Sequence, residues 1–280
     1  MRCKSPQNGL NAAVKRASRA VWNAGELLEG VDQVASEQAI ALVYNGISHV
    51  VMMATPCDLE DFALGFSLSE GIIDSPQQLL DIEPRSLDKG IELAITIAAE
   101  PFARLKQKRR NLTGRTGCGL CGAESLEQAI PQLDTVKSTL AITHQALQRA
   151  IAALDKQRCL QQQTGALHGA AWCDPEGQIG CLREDVGRHN ALDKLLGAMA
   201  KQALDSHSGF LLITSRASYE MVVKAVRANV GLLAAVSAPT TLAIALAEQS
   251  NMGLVGFSRA QRHVIYAGQR RLIHVDATND

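Results

Sequence analysis

The sequence predicts an α/β protein in two parts: a small α+β unit at the N-terminus, then a C-terminal α/β domain on a mostly mixed sheet. Two patterns carry this reading. Near residue 45 an Asn-Gly pair sits between apolar runs, the signal for a β-hairpin. From Gly165 onward, short apolar strands are each followed by a polar loop and a helical pattern, as in sheets with crossover helices. The chain length of 280 residues accommodates one large domain or two modest ones. We place a flexible basic arm at 1–25, the α+β domain at 26–140 and the second domain at 141–280.

The first 25 residues have no sustained period and carry Arg2, Lys4, Lys15, Arg16 and Arg19 without an acid. Ile40 to Val43 and His49 to Met53 then flank the Tyr44-Asn45-Gly46-Ile47 turn. Asp58-Leu59-Glu60-Asp61 opens an amphipathic helix through Phe62, Leu64, Phe66 and Leu68, ended by Gly71. Ile91 to Ile97 reads as a strand, and Thr143 to Lys156 as a helix. In the second domain Phe210 to Thr214, Leu232 to Val236, Leu254 to Phe257 and His263 to Ala267 are strands. Tyr219 to Asn229 and a segment ending at Glu248 are helices between them. Ala228 to Ala247 has no charge over twenty residues, long enough to span a bilayer. Asn229, Gly231, Ser237, Pro239, Thr240 and Thr241 interrupt it, so a buried strand, a turn and a buried helix are expected instead.

The chain is 46% hydrophobic and 20% charged, an ordinary globular composition that excludes disordered, collagen-like and coiled-coil classes. Aromatic residues make up 4%, too few for stacking platforms on single-stranded nucleic acid. Lys and Arg number 28 against 28 Asp and Glu, so the electrostatic footprint of a duplex-binding protein is missing. Arg104, Lys106, Lys108, Arg109, Arg110 and Arg115 nevertheless form a local basic stretch. Seven cysteines in no repeating framework read as a reducing compartment, and no apolar run after the basic start suggests a signal peptide.

Cys118-Gly119-Leu120-Cys121 lies between Gly117 and Gly122 and should be a flexible loop. A zinc knuckle would need a second ligand pair, which neither Cys173 with Cys181 nor any closely spaced histidine pair supplies. A thioredoxin-like pair would need a helix start where glycines stand. Two buried structural cysteines are a further reading, and a carrier thiol on a swinging loop is the fourth. For the last, a free thiol has a pKa of about 8.5. One Arg about 7 Å away contributes roughly 0.6 kcal/mol, so a few of the neighbouring bases would lower that pKa by about one unit.

Glu184-Asp185-Val186-Gly187-Arg188-His189-Asn190-Ala191-Leu192-Asp193-Lys194 opens a helix whose apolar stripe is Ala191, Leu192, Leu195, Leu196 and Met199. It reads either as a capped helix with Asp185 and His189 paired at i, i+4 or as the edge of a binding site. Three strand-to-loop transitions carry Ser215, Arg216 and Ser218; Ser237 and Thr240; and Ser258, Arg259 and Arg262. Such loops line the crevice at the carboxyl ends of strands in open α/β sheets, and here they favour a phosphate-bearing ligand. No GxGxxG or Walker A pattern is present.

Together RTGCGLCG, TGALHGAA, EDVGRHNALDK, SRASYEMVVKA, APTTLAIALAE and LVGFSRAQR resemble the FdhD family of formate dehydrogenase accessory sulfurtransferases, from about residue 40 to residue 267. The resemblance implies a cytoplasmic homodimer that takes sulfur from a cysteine desulfurase as a cysteine persulfide. The sulfur passes to the molybdenum cofactor, Mo-bis(molybdopterin guanine dinucleotide), before that cofactor enters formate dehydrogenase. It also implies that Cys118 is the persulfide cysteine with Cys121 as its partner. Phe257, Ser258, Arg259, Ala260, Gln261 and Arg262 become the cofactor-binding stretch, for which a guanine nucleotide such as GDP would be a mimic. A cytidine-deaminase-like second domain is implied as well, without deaminase chemistry. That reaction needs H-x-E and P-C-x-x-C around zinc, and no histidine here is followed two residues later by Glu. No metal ligands, nucleic-acid partner or membrane contact are expected. Ala166 and Ser215 stand where the family usually has glycine, so cofactor contacts are not carried over to them. Other classes remain open: a cofactor-binding chaperone with structural cysteines, or a dithiol oxidoreductase.

Overall fold

A computed structural model of the chain describes residues 13–112 and 132–274. Strands β1 (Val14–Asn23) and β2 (Glu26–Ala35) form an antiparallel hairpin, with Ala24 and Gly25 at φ 50° and 99° in the turn. This corrects the expectation of an arm without regular structure at 1–25, within its described part. The physical reason is that most of the ribbon is exposed on both faces, down to Trp22 at 72% and Leu27 at 68%, so no buried face imposes an alternating pattern. Charge pairing supplies what patterning does not: Lys15, Arg16 and Arg19 on β1 face a strand carrying Glu26, Glu29 and Asp32. Arg19 lies 3.2 Å from Asp32.

Strands β3 (Gln38–Tyr44) and β4 (Ile47–Ala54) form the expected hairpin, with Asn45 and Gly46 both at positive φ as a primed turn requires. Helix α1 (Leu59–Ser69) follows, then β5 (Leu79–Leu87), β6 (Gly90–Ile97) and helix α2 (Ala99–Leu112). The four strands order β4-β3-β6-β5, with β3 and β6 parallel and the other pairs antiparallel. Ile40, Leu42, Ile91, Leu93 and Ile95 turn inward from the sheet against Phe62 and Phe66 of α1.

The second sheet has six strands. The elements of this half of the chain are β7 (Ile142–Thr143), α3 (His144–Gln157), α4 (Cys159–Thr164), β8 (His168–Cys173), β9 (Ile179–Asp185) and α5 (Arg188–Lys201). They continue with β10 (Phe210–Ile213), α6 (Tyr219–Arg227), β11 (Leu232–Ala235), α7 (Thr241–Gln249), β12 (Gly253–Arg259), β13 (Arg262–Ala267) and β14 (Leu272–Ile273). The order is β13-β12-β11-β10-β8-β9, with β10, β11 and β12 mutually parallel and the remaining pairs antiparallel, a mixed α/β sheet. Short β7 and β14 pair separately. One face packs α5, α6 and α7 through Leu192, Leu195, Met221, Val222 and Leu246; the other packs α3 through Leu147, Ala150 and Leu154. The uncharged run 228–247 becomes β11, a turn and the start of α7, and no described helix is long and apolar enough to cross a membrane.

Helices α1 and α5 join the two sheets by backbone contact. A Cβ on Gly65 would overlap the Asp193 carbonyl, and one on Gly197 would overlap the Asp61 carbonyl. Gly65→Ala or Gly197→Ala should therefore destabilise the protein by about 3 kcal/mol or more, since backbone on both sides must move. Gly71, at φ 66° with nothing within 4 Å of an added Cβ, should cost only about 1 kcal/mol as Ala. Urea midpoints of the three variants test that difference.

Candidate functional site: a cleft at the sheet crest

Strands β10, β11 and β12 run parallel and end together, beside the start of antiparallel β8. At this crest lies a cleft of about 680 Å³, within the range of about 300–1,000 Å³ for small-molecule sites. Thr214, Val236 and Ser258 come from the strand ends, His168 from β8, and Ile151, Leu154 and Asp155 from α3. Helix α3 is where the residues dictate: Thr143 caps it by accepting from the Ala146 amide (3.0 Å), and Ala146, Leu147, Ala150 and Leu154 form its buried stripe.

Of the expected cofactor-binding stretch, Ser258, Arg259 and Ala260 line this cleft. Phe257, Gln261 and Arg262 are not among its walls. They shape the β12–β13 hairpin, in which Arg259 and Arg262 face each other across the turn. Phe257 sits at φ 50° and Gln261 at φ 60°, and for a bulky residue such as Phe257 that conformation is an outlier. The Phe257 amide donates to the Ser237 carbonyl (3.0 Å), and the register shifts between Gly256 and Arg259. The irregularity turns Ser258 inward, to 1% exposure, and leaves Arg259 exposed.

Two buried donors in the cleft wall have no partner among the described residues, Ser258 Oγ and Arg158 Nε. Arg158 is held in place by its other nitrogens, which reach Asp155 (3.2 Å) and the Leu167 carbonyl (2.7 Å). Its guanidinium lies across Gly169, where a Cβ would come within 3.1 Å of Nε. Exposed Arg259, the buried orphans and the cleft together suit an anionic, oxygen-rich ligand. No sequence pattern marks Arg158 or His168 as a cleft residue. Arg158 falls in an otherwise unremarkable helix end, and only its burial reveals it.

His168 is half-buried, with Nδ1 3.5 Å from Thr214 Oγ1. Burial, then the nearby Arg188 and Arg158, pull its pKa below the usual 6.5. The unfolded chain therefore takes up this proton before the folded one, and stability is lost as pH falls below about 6.5. His168→Gln should flatten part of the decline in urea midpoint between pH 7 and pH 5.

The Glu184–Lys194 segment divides between site and scaffold. Glu184 accepts the Leu160 and Gln161 amides (both 2.9 Å) and so anchors α4 at the cleft. Asp185 does not pair with His189. It meets Lys194 at 2.6 Å, both fully buried, and accepts from the Thr55 amide (3.0 Å), the Gly187 amide (2.7 Å) and Asn190 Nδ2 (3.1 Å). His189 instead reaches Glu220 at 2.7 Å. Asp193 accepts from Lys224 (2.8 and 3.0 Å) and Ser69 Oγ (2.6 Å). Burial pushes the Asp193 carboxyl up, while Asp193 and Glu70 overcome burial to hold the Lys224 ammonium above its usual range. The two-oxygen contact fits the ionised pair, in which Lys224 keeps its proton. Lys194→Met should cost about 3–5 kcal/mol by stranding Asp185, read as a lowered denaturation midpoint.

Cys118 and Cys121 lie outside the described residues. Of the basic stretch, Arg104 lies in α2 and pairs with Asp74 (2.6 Å) and Glu100. In the loop set, Thr240 accepts the Ala243 amide as a helix cap, and Ser215 donates to the Arg216 carbonyl. Neither lines the cleft.

A family model described as FdhD/NarQ family matches residues 35–273. A sulfur carrier protein FdhD from Cupriavidus necator is 55% identical over 253 residues, covering 90% of this chain and 88% of the relative. Another so named, from Xanthomonas euvesicatoria pv. vesicatoria, is 52% identical over 241 residues, 86% of each chain. A crystal structure from Desulfotalea psychrophila, described as that of a candidate formate dehydrogenase accessory protein, superposes with TM-score 0.75 over 94% of this chain and 100% of that one. At 22% identity that likeness concerns the fold. With the family's model spanning both sheets and relatives this similar over most of their length, the chain belongs to the FdhD/NarQ family.

Proposed function

We propose that this chain is a sulfurtransferase that carries sulfur to formate dehydrogenase maturation in the cytoplasm. The thiolate of Cys118 attacks the outer sulfur of a cysteine desulfurase persulfide. That S–S bond breaks, the desulfurase cysteine leaves as a thiolate, and the sulfane sulfur stays on Cys118 as a new persulfide, with Cys121 three residues further along the sequence as its partner. The substrate of delivery is Mo-bis(molybdopterin guanine dinucleotide), held in the crest cleft before insertion into formate dehydrogenase.

The observation that carries the cofactor half is the cleft itself. The stretch 257–262 supplies Ser258, Arg259 and Ala260 to a wall in which Ser258 Oγ and Arg158 Nε have no partner among the described residues. A pterin guanine dinucleotide presents phosphate oxygens for such donors, with Arg259 and Arg262 at the exposed turn as charge partners. Naming of the relatives as sulfur carrier proteins supports the sulfur half. The reading includes a homodimer; the exposed Trp22, Leu27 and Leu28 of the β1–β2 ribbon are apolar surface that a second copy would cover.

Mass spectrometry after incubation with a desulfurase and cysteine should show one added sulfur mass on the peptide holding Cys118, absent in Cys118→Ala. The same variant should bind GDP like the parent, while Arg259→Ala should bind GDP about tenfold more weakly and load sulfur normally. Binding without loading would indicate a chaperone, and a reversible Cys118–Cys121 disulfide a dithiol oxidoreductase. Loss of both functions in either variant would sink this division of labour.

A further inference from the structure

Behind the β12–β13 turn runs a hydrogen-bond chain that points in one direction. The Gln261 backbone amide donates to Gln148 Oε1 at 2.7 Å. A backbone N–H can only donate, so the oxygen of the Gln148 amide must face the turn and its Nε2 must face the other way. There it lies 3.0 Å from His263 Nδ1. An amide nitrogen also only donates, so His263 Nδ1 is the acceptor and the ring carries its proton on Nε2. That nitrogen stands 2.8 Å from His144 Nδ1, which must accept in turn. The rings are close to parallel, with centroids 5.0 Å apart and planes 19° from one another. Donor chemistry thus assigns every proton along the chain, from the turn to the first residue of α3.

We propose that Gln148 and His263 are positioning residues for the nucleotide-binding turn, holding Ala260 and Gln261 in place only while both imidazoles are neutral. The inference rests on the cleft being the nucleotide site. A third proton on the pair has two places to go, His144 Nδ1 or His263 Nδ1. The first sets two N–H groups head to head across the 2.8 Å contact, the second across the 3.0 Å contact to Gln148. The Gln148 amide cannot flip to accept a proton, because its nitrogen would then face the Gln261 N–H. The chain has no slack, so protonation breaks a link.

Among the described residues no ion pair to either ring offsets the added charge. His144 and Gln148 face His263 from α3, and His274, just past β14, meets the His144 ring edge-on at 6.1 Å. Among the described residues no carboxylate forms an ion pair with His144 or His263. Burial, then His144, lowers the His263 pKa from 6.5, so the neutral ring is the resting state near pH 7 and is lost on acidification. The turn is consequently held above that pKa and released below it.

The test uses GDP as probe and the full chain, with affinity measured at pH 7.5 and pH 5. Parent protein should lose about fivefold in affinity at the lower pH from this source, the equivalent of one hydrogen bond. Gln148→Ala should bind about fivefold more weakly already at pH 7.5 and decline less with acid. Gln148→Glu is the decisive variant: one carboxylate oxygen still accepts from Gln261 and the other accepts from a protonated His263, so tight binding should persist at pH 5. A residue with a merely structural role would weaken both variants alike and leave the pH slope of the parent. Parent affinity in Gln148→Ala at pH 7.5, or the parent slope in Gln148→Glu, overturns the inference while leaving the site standing. Failure of the parent to bind GDP at either pH overturns the site and this inference with it. Long-range 1H–15N spectra of the nucleotide-free protein give an independent readout: both rings should be Nε2–H tautomers at pH 7.5, and an Nδ1–H form of either rules the chain out.

Discussion

The buried pair of Asp185 and Lys194 is the constraint on which the arrangement of the two sheets depends. Neither residue has any solvent exposure, and the pair reaches across the chain to the connection between β4 and α1, where the Thr55 amide and carbonyl complete its hydrogen bonds. A buried ion pair is weak evidence for net stability, because desolvation consumes much of the Coulombic gain. Its value lies in direction: each Asp185 oxygen meets two donors fixed in place, and a slipped arrangement would leave a bare charge in the core. Beside it, Gly65 and Gly197 let α1 and α5 touch backbone to backbone, so small residues admit the contact and charges lock it.

That lock reaches the cleft through the sheet. Asp185 ends β9 directly opposite His168, the first residue of β8. Glu184, one residue earlier, clasps the start of α4, which carries Gln161 into the cleft wall. The polar segment therefore supports the cleft from behind, while the donors that line it come from other elements. Arg158, Ser258 and Arg259 approach from a helix end and a hairpin, and the strained backbone of Phe257 directs the latter two.

Several features were legible in the residues. Asn45-Gly46 announces its hairpin because few residue pairs tolerate two positive φ angles, and the helix of α3 follows from Thr143 and a four-residue apolar spacing. The β1–β2 ribbon was not legible, because a strand pair exposed on both faces leaves no period to find. Arg158 escaped notice for the opposite reason: its importance is burial, which one arginine among many does not advertise. The Asp185–His189 spacing suggested a local pair, but tertiary partners at Lys194 and Glu220 offered better geometry and won.

What the sequence alone determined is the α/β class, the alternation that builds the crest, and the polar loop of Ser258, Arg259 and Arg262 from which the cleft takes part of its wall. These depend on local periodicity and on residue types grouped along the chain. Only the tertiary structure decided which charges are buried, that α1 and α5 meet through glycine, and that Gln148 faces the Gln261 turn 113 residues away. Such choices turn on the distance and direction between groups remote in sequence, and on whether water can reach them. Those quantities come into being when the layers close.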